Sequence, residues 1–270
     1  SLTNTDQSAY SAGNLAITTP GFGKFTIDQG AGGSGIDRYD DMMPTAWEET
    51  NGTSLGTGLV TVAGVGTSMN IEWTAPGEML PDGVSLAIAV APGGTTGVAN
   101  DKAVGGDTGG VGRGYDITAS HSGFADGLNI FAGVSNIEQD NQSTSKYTDD
   151  RTQYVMGATY AVGSVTVGYQ MSHDDFNATS GATTAFYENT AYGISFSVND
   201  NLSLSYGRHE SDSAQTDGTS DNLEGESFQM AYSMGGATIK IAESSVDNGA
   251  YTTGTSADKD ATTVMLSLAF

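Results

Sequence analysis

The sequence predicts an all-β protein, an antiparallel up-and-down barrel of the membrane-spanning kind. Three observations carry this. Apolar residues alternate with small or polar ones at period two, in short runs that recur about thirteen times, as in strands with two unlike faces. The links between runs alternate between short and long. Gly163-Ser164, Asn199–Asn201 and Gly235-Gly236 are short, whereas Glu138–Arg151, His173–Phe186, Glu210–Asn222 and Val246–Asp260 are long and polar. Short turns at one rim and long loops at the other connect membrane barrels, and a soluble sandwich has no reason to segregate them. Hydrophobic residues make up 37% of the chain, lean for a soluble core but enough where one face of each strand meets an apolar phase.

The bulk composition narrows the function classes. With 32 acidic and 9 basic residues the formal charge is −23. No basic stripe exists to meet phosphates, so nucleic acid is excluded as a partner, while cations and cationic solutes suit the charge. The absence of cysteine removes disulfides, thiolate metal sites and cysteine nucleophiles together. No run reaches the roughly 18 apolar residues of a transmembrane helix, and no secretory signal is present. The chain opens at Ser1 without a Met, which reads as a processed or truncated N-terminus.

Taken in order, Ser1–Gly13 is polar and carries no period. Leu15–Thr18 alternates, Pro20-Gly21-Phe22-Gly23 is turn chemistry, and Lys24–Asp28 alternates again. Gln29–Ser68 then has neither helical nor strand period, yet it holds Tyr39, Trp47, Met42-Met43 and the acids Asp37, Asp40, Asp41, Glu48 and Glu49. Connections this long are uncommon and are functional or disordered; this one is expected to fold into the mouth and narrow it. The strand grammar resumes at Met69–Thr74 and Val84–Ala91. After a Gly-rich connector at Pro92–Gly114 it continues from Tyr115 to the C-terminal run Val264–Phe270. One face collects Val, Leu, Ile, Phe, Tyr, Met and Trp. The other collects Gly, Ala, Ser, Thr, amides and charges, small enough to predict a wide, wet interior. Tyr154, Tyr160, Tyr169, Tyr192, Phe228 and Tyr232 stand near strand ends, as interfacial aromatic girdles require.

On the polar face fall Lys24, Glu72, Asp116, Gln170, Gln229 and Lys240, expected to face water inside the barrel. A lysine on the lipid face at the midplane costs about 2–4 kcal/mol. Glu48 and Glu49 beside Trp47 are candidate selectivity carboxylates, since clustered acids favour cations. Gly32–Asp40 fits one copy of a Ca²⁺-binding nonapeptide that works by stacking several. Asp37, Asp40 and Asp41 are therefore candidate Ca²⁺ ligands, against the plainer reading of a solvated acidic loop. His121, His173 and His209 share no ligand spacing. No serine sits in a nucleophile-elbow context, so no catalytic residues and no enzyme are expected. A different class also fits the low Lys and high Gly, Thr and Asp: a soluble secreted or surface-layer β-rich structural or adhesion protein that binds Ca²⁺.

Four stretches carry a family likeness. They are TTVMLSLAF at the C-terminus, MNIEWTAPGEMLPDGVSLAIAVAPG, RGYDITASHSGFADGLNIFAGVS, and GKFTID followed by the acidic insert. In order and spacing they resemble the trimeric Gram-negative general diffusion porins. The resemblance implies a barrel of about sixteen strands, of which these are the last thirteen, with about three N-terminal strands outside this chain. It implies one barrel domain over residues 1–270, with 29–68 as the pore-constricting loop. It implies a water-filled outer-membrane channel for passive diffusion of small hydrophilic solutes and ions, weakly cation-preferring. Asp37, Arg38, Asp40, Asp41, Glu48 and Glu49 would lie at its constriction. A homotrimer amid lipid and lipopolysaccharide, calcium in the loops, and the terminal Phe270 as an assembly signal follow from the likeness as well. The basic cluster that such channels set against the acidic loop comes from early strands, and it is not readable in this sequence.

Overall fold

A computed structural model of the chain describes residues 13–29, 31–51, 55–66, 68–92, 111–139, 147, 149–179 and 184–268. The strands are β1 (Asn14–Thr19), β2 (Gly23–Gln29), β3 (Met69–Thr74), β4 (Val84–Ala91), β5 (Val111–His121), β6 (Leu128–Gln139) and β7 (Arg151–Val162). They continue with β8 (Val165–Asp175), β9 (Thr184–Asn199), β10 (Leu202–Gln215), β11 (Ser220–Met234), β12 (Ala237–Asp247) and β13 (Lys259–Leu268). All 13 belong to one sheet, paired antiparallel in strict chain order. Among the described residues β1 and β13 each pair on one side only. Phe270 lies outside the described residues.

The tight turns follow from local chemistry. Gly163, at φ 59°, joins β7 to β8 across two residues, because glycine takes the positive φ that a two-residue hairpin needs. The polar stretches behave differently from the loop expectation. Glu210–Gln215 and Ser220–Asn222 are not loop but the continuation of β10 and β11, joined by the four residues 216–219. β9 likewise begins at Thr184, inside the stretch read as loop. Their sequence still alternates, with Ser211 and Ser213 buried on one face and Asp212 exposed on the other. The rule of apolar against polar misses this, because above an apolar band both faces of a strand are polar.

The outer face is a continuous apolar surface. Leu15, Ile71, Val90, Val134, Met156, Val167, Ile194, Leu266 and their neighbours are exposed large hydrophobics, and Tyr154, Tyr160, Tyr169, Tyr192, Phe228 and Tyr232 stand among them. The core lies on the opposite, inner face. There Ile36, Tyr39 and Val62 of the long insert pack on Phe131 of β6 and Val155 of β7, with the Tyr39 and Phe131 rings 4.9 Å apart. A second cluster joins Val65 to Ala89, Ala91 and Ile137. Each fully buried aliphatic or aromatic side chain contributes about 1.5–3 kcal/mol, so the insert is held as a packed element.

Candidate functional site

The insert between β2 and β3 runs out along the inner wall and back again. A short 3-10 turn, Gly35–Tyr39, opens the outward leg against β5 and β6. Wall side chains end on its backbone in sequence. Glu72 of β3 accepts from the Gly35 N–H at 2.8 Å and pairs with the Arg38 guanidinium. Asp116 of β5 accepts from Ile36 N–H at 2.8 Å and, on the return leg, from Val65 N–H at 3.0 Å. Gln170 of β8 accepts from Met42 N–H at 3.0 Å. Ser205 of β10 accepts from Ala46 N–H at 2.8 Å, and Gln229 of β11 from Trp47 and Glu48 N–H at 3.1 and 3.0 Å. The return leg meets Gln153 of β7 through the Ala63 and Gly64 N–H groups. Asn70 closes the base on Ser34, Val65 and Ser68. A long irregular segment needs partners for its buried backbone groups, and here polar wall side chains supply them.

The wall also makes room. Gly168, Gly193 and Gly207 are register neighbours across β8, β9 and β10. A Cβ on Gly168 would fall 2.6 Å from Pro44 Cδ, one on Gly193 would fall 3.1 Å from Met43 Cβ, and one on Gly207 would overlap the Thr50 hydroxyl. Gly133 gives Ile36 the same accommodation. On β6 to β10, then, the small inner residues do not line a wet lumen as expected; the insert covers and buries them. At the rim from which the insert leaves the wall, the link between β12 and β13 folds onto the return leg. Ala250 N–H donates to Thr57 O at 2.7 Å, Val60 N–H to the Tyr251 hydroxyl at 3.0 Å, and Lys259 Nζ to Gly56 O at 3.2 Å.

The predicted site residues divide. Glu72, Asp116, Gln170 and Gln229 lie on the inner face and are buried, but their polar ends hold the insert. Lys24 is exposed in inner register with Thr26 and the buried Asp28. Lys240 places its ammonium 5.8 Å from the Trp47 ring centroid. Asp37 accepts from the Gly33 N–H at 2.6 Å, Arg38 turns back to Glu72, and Asp41 meets His209 Nε2 at 3.1 Å, the pair almost wholly buried. Glu48 is exposed, and Asp40 and Glu49 are half-buried. The calcium expectation finds no matching geometry. Asp37, Asp40 and Asp41 turn to different partners, and among the described residues no three His, Asp or Glu side chains gather as a metal-holding set.

The two acidic pairs, Asp40-Asp41 and Glu48-Glu49, form one electrostatic cluster. Burial, and then the charges of Asp40, Asp41 and Glu48, push the Glu49 carboxyl up to about 7. Burial raises Asp40 to about 6, with Asp37 and Asp41 adding repulsion against the bond from Asp41 N–H. Asp37 is raised as well, chiefly by burial. Gln153, Ser205, His209, Tyr251 and the inner glycines escaped the sequence reading. A signal was available for Gln153 and the glycines: an amide and glycines at inner positions of strands, three of the glycines in one cross-strand row.

No family model matches the chain, and no curated protein matches it in sequence. Solved structures do match. The trimer form of OmpT, an outer membrane protein of Vibrio cholerae, shares 14% identity over 93% of this chain and 75% of its own, with a TM-score of 0.58. Salmonella typhi OmpF, solved in complex with daunomycin, shares 14% over 90% and 74%, TM-score 0.61. The anion-selective porin of Comamonas acidovorans shares 12% over 87% and 67%, TM-score 0.59. Identity this low speaks for architecture alone. The chain carries the fold of the outer-membrane porins, a transmembrane antiparallel β-barrel wall with a long segment folded against its inside.

Proposed function

We propose that this chain forms the wall and the constriction of an outer-membrane diffusion channel, passing small hydrophilic solutes and ions and weakly preferring cations. The observation that carries the reading is the insert itself: an acidic segment of the 29–68 connection lies inside the wall, with Glu48 exposed and Asp40 and Glu49 half-exposed beside it. The apolar outer face with its tyrosines suits a bilayer. The fold alone leaves selectivity open, since one similar structure is an anion-selective porin; the cation preference rests on the four carboxylates. Lys24, Lys240 and Lys259 lie on the inner face of β2, β12 and β13, with Lys240 beside Trp47 and Lys259 on Gly56 O, so solutes pass between acids and lysines. Assembly as a homotrimer among lipid and lipopolysaccharide follows the trimeric relatives by analogy.

Reconstitution in planar bilayers tests this. Discrete conductance steps with a cation-directed reversal potential in a salt gradient are expected. Absence of steps from folded protein would end the channel reading, and a strong anion preference would end the role given to the acids.

A further inference from the structure

Two wall glutamines grip the acidic run from opposite ends, and each uses its whole amide. The Gln170 carbonyl accepts from Met42 N–H at 3.0 Å, and its NH₂ donates to Tyr39 O and Asp40 O, both at 2.9 Å. The Gln229 carbonyl accepts from Trp47 and Glu48 N–H, and its NH₂ donates to Glu48 O at 2.8 Å and Ser227 Oγ at 3.2 Å. Both are buried, at 2% and 1% exposure. A glutamate at either place would lack the donor, and a methionine would lack both functions. By contrast Gln153 of β7, which meets the return leg, leaves its NH₂ without a partner.

We infer that Gln170 and Gln229 are positioning residues for the constriction, fixing the spacing at which Asp40, Asp41, Glu48 and Glu49 stand together. The inference rests on the channel reading above. Simple reach supports it. β8 and β11 are three strand spacings apart, about 14 Å, while the five steps from Met42 to Trp47 span at most about 18 Å. Clamped at both ends, that stretch has little slack. Pro44 and the glycine row beneath it keep it against the wall. Burial raises Asp40 and Glu49 first, and the neighbouring acids add repulsion, as carboxylates held at fixed close spacing do.

The test uses the full chain in planar bilayers, with Gln170→Met, Gln229→Met and the double variant. The expected result is a drop of about twofold in cation-over-anion permeability. The pH at which that preference is half lost should also move down toward the ordinary carboxylate range. Thermal unfolding should stay unchanged, which separates positioning from a general loss of stability. Gln229→Glu keeps the acceptor for Trp47 and Glu48 and should retain most of the preference. Wild-type permeability and an unshifted pH profile in both Met variants would overturn the inference. Hydrogen exchange on the unaltered protein gives a second arm that needs no variant. The Met42, Trp47 and Glu48 amides should be among the slowest in the insert, and fast exchange there would also overturn it. A wild type without channels would sink the channel reading instead, while leaving the exchange arm to judge the clamps.

Discussion

The inner face of the wall has two unlike halves. Over β5 to β11 it presents glycines, serines and amides, and the insert covers them; Gln153, Ser205, Ser211 and Gln229 are all buried. Over β2, β12 and β13 it presents Lys24, Lys240 and Lys259, the three lysines among the described residues, with Lys24 and Lys259 exposed and Lys240 half-buried. Small polar residues mean packing where a segment lies on them, and on β12 and β2 that packing still buries Ala242, Ser244 and Asp28. The covered half carries negative charge on the insert and on Asp116 and Asp174 of the wall, and the other half carries these lysines on its strands.

The strongest way to break this contrast is to remove its cause. Excising residues 35–66 and joining the ends with a short Gly/Ser linker should raise single-channel conductance about severalfold, because the narrowest section goes with the segment. Unchanged conductance in bilayer recordings would place the constriction elsewhere. Next in size, Asp40→Asn, Asp41→Asn, Glu48→Gln and Glu49→Gln together should abolish or reverse the cation preference, read as the reversal potential. The opposite change, Lys24, Lys240 and Lys259 to Gln, should increase it. If both sets leave selectivity alone, neither half faces the ion path.

Packing comes next. Ile36→Ala removes a fully buried side chain from the cluster with Phe131 and Val155 and should loosen docking by about 2–4 kcal/mol, read as faster protease nicking of the insert. Gly193→Val should act in the same direction by pressing on Met43 and Pro44, at about 1–3 kcal/mol for overpacking. The smallest effect is on pH. Glu49, at about 7, and Asp40, at about 6, gain protons in turn as pH falls, so cation preference should decline stepwise between roughly pH 7.5 and 5.5. His209 beside Asp41, and Lys240 near Trp47, face the same region. Because both carboxyls lie above their ordinary range when docked, they favour the docked state most in acid, and that contribution fades as pH rises through these values. A selectivity profile flat across that window would show the acids to be fully hydrated.

The wall was legible in the sequence to a useful depth. Period-two runs such as Val84–Ala91 and Tyr154–Val162 are strands, and Gly163-Ser164 and Gly235-Gly236 are their turns. Along the apolar band the outward set is the apolar set, because alternation at period two is the strand's own geometry. The tall polar ends of β9, β10 and β11 were less legible, since hydrophobicity marks only the part of a strand that one apolar phase touches. Phe131 and Val155 gave a mixed signal for a related reason: they are apolar yet inward, because the insert offers them a second apolar surface.

Local pattern alone thus determined the strand sequence, the sidedness of the loops, the apolar outer face and the identity of the unusual segment. Tertiary structure alone decided what that segment touches. Whether Asp116 or Gln229 meets water or a backbone N–H, and whether Asp41 and Glu49 share one electrostatic cluster, depends on contacts across roughly 50 to 180 residues of chain. Such contacts leave no periodic trace. They arise because an irregular segment, once inside a wall, must find a partner for every buried backbone group.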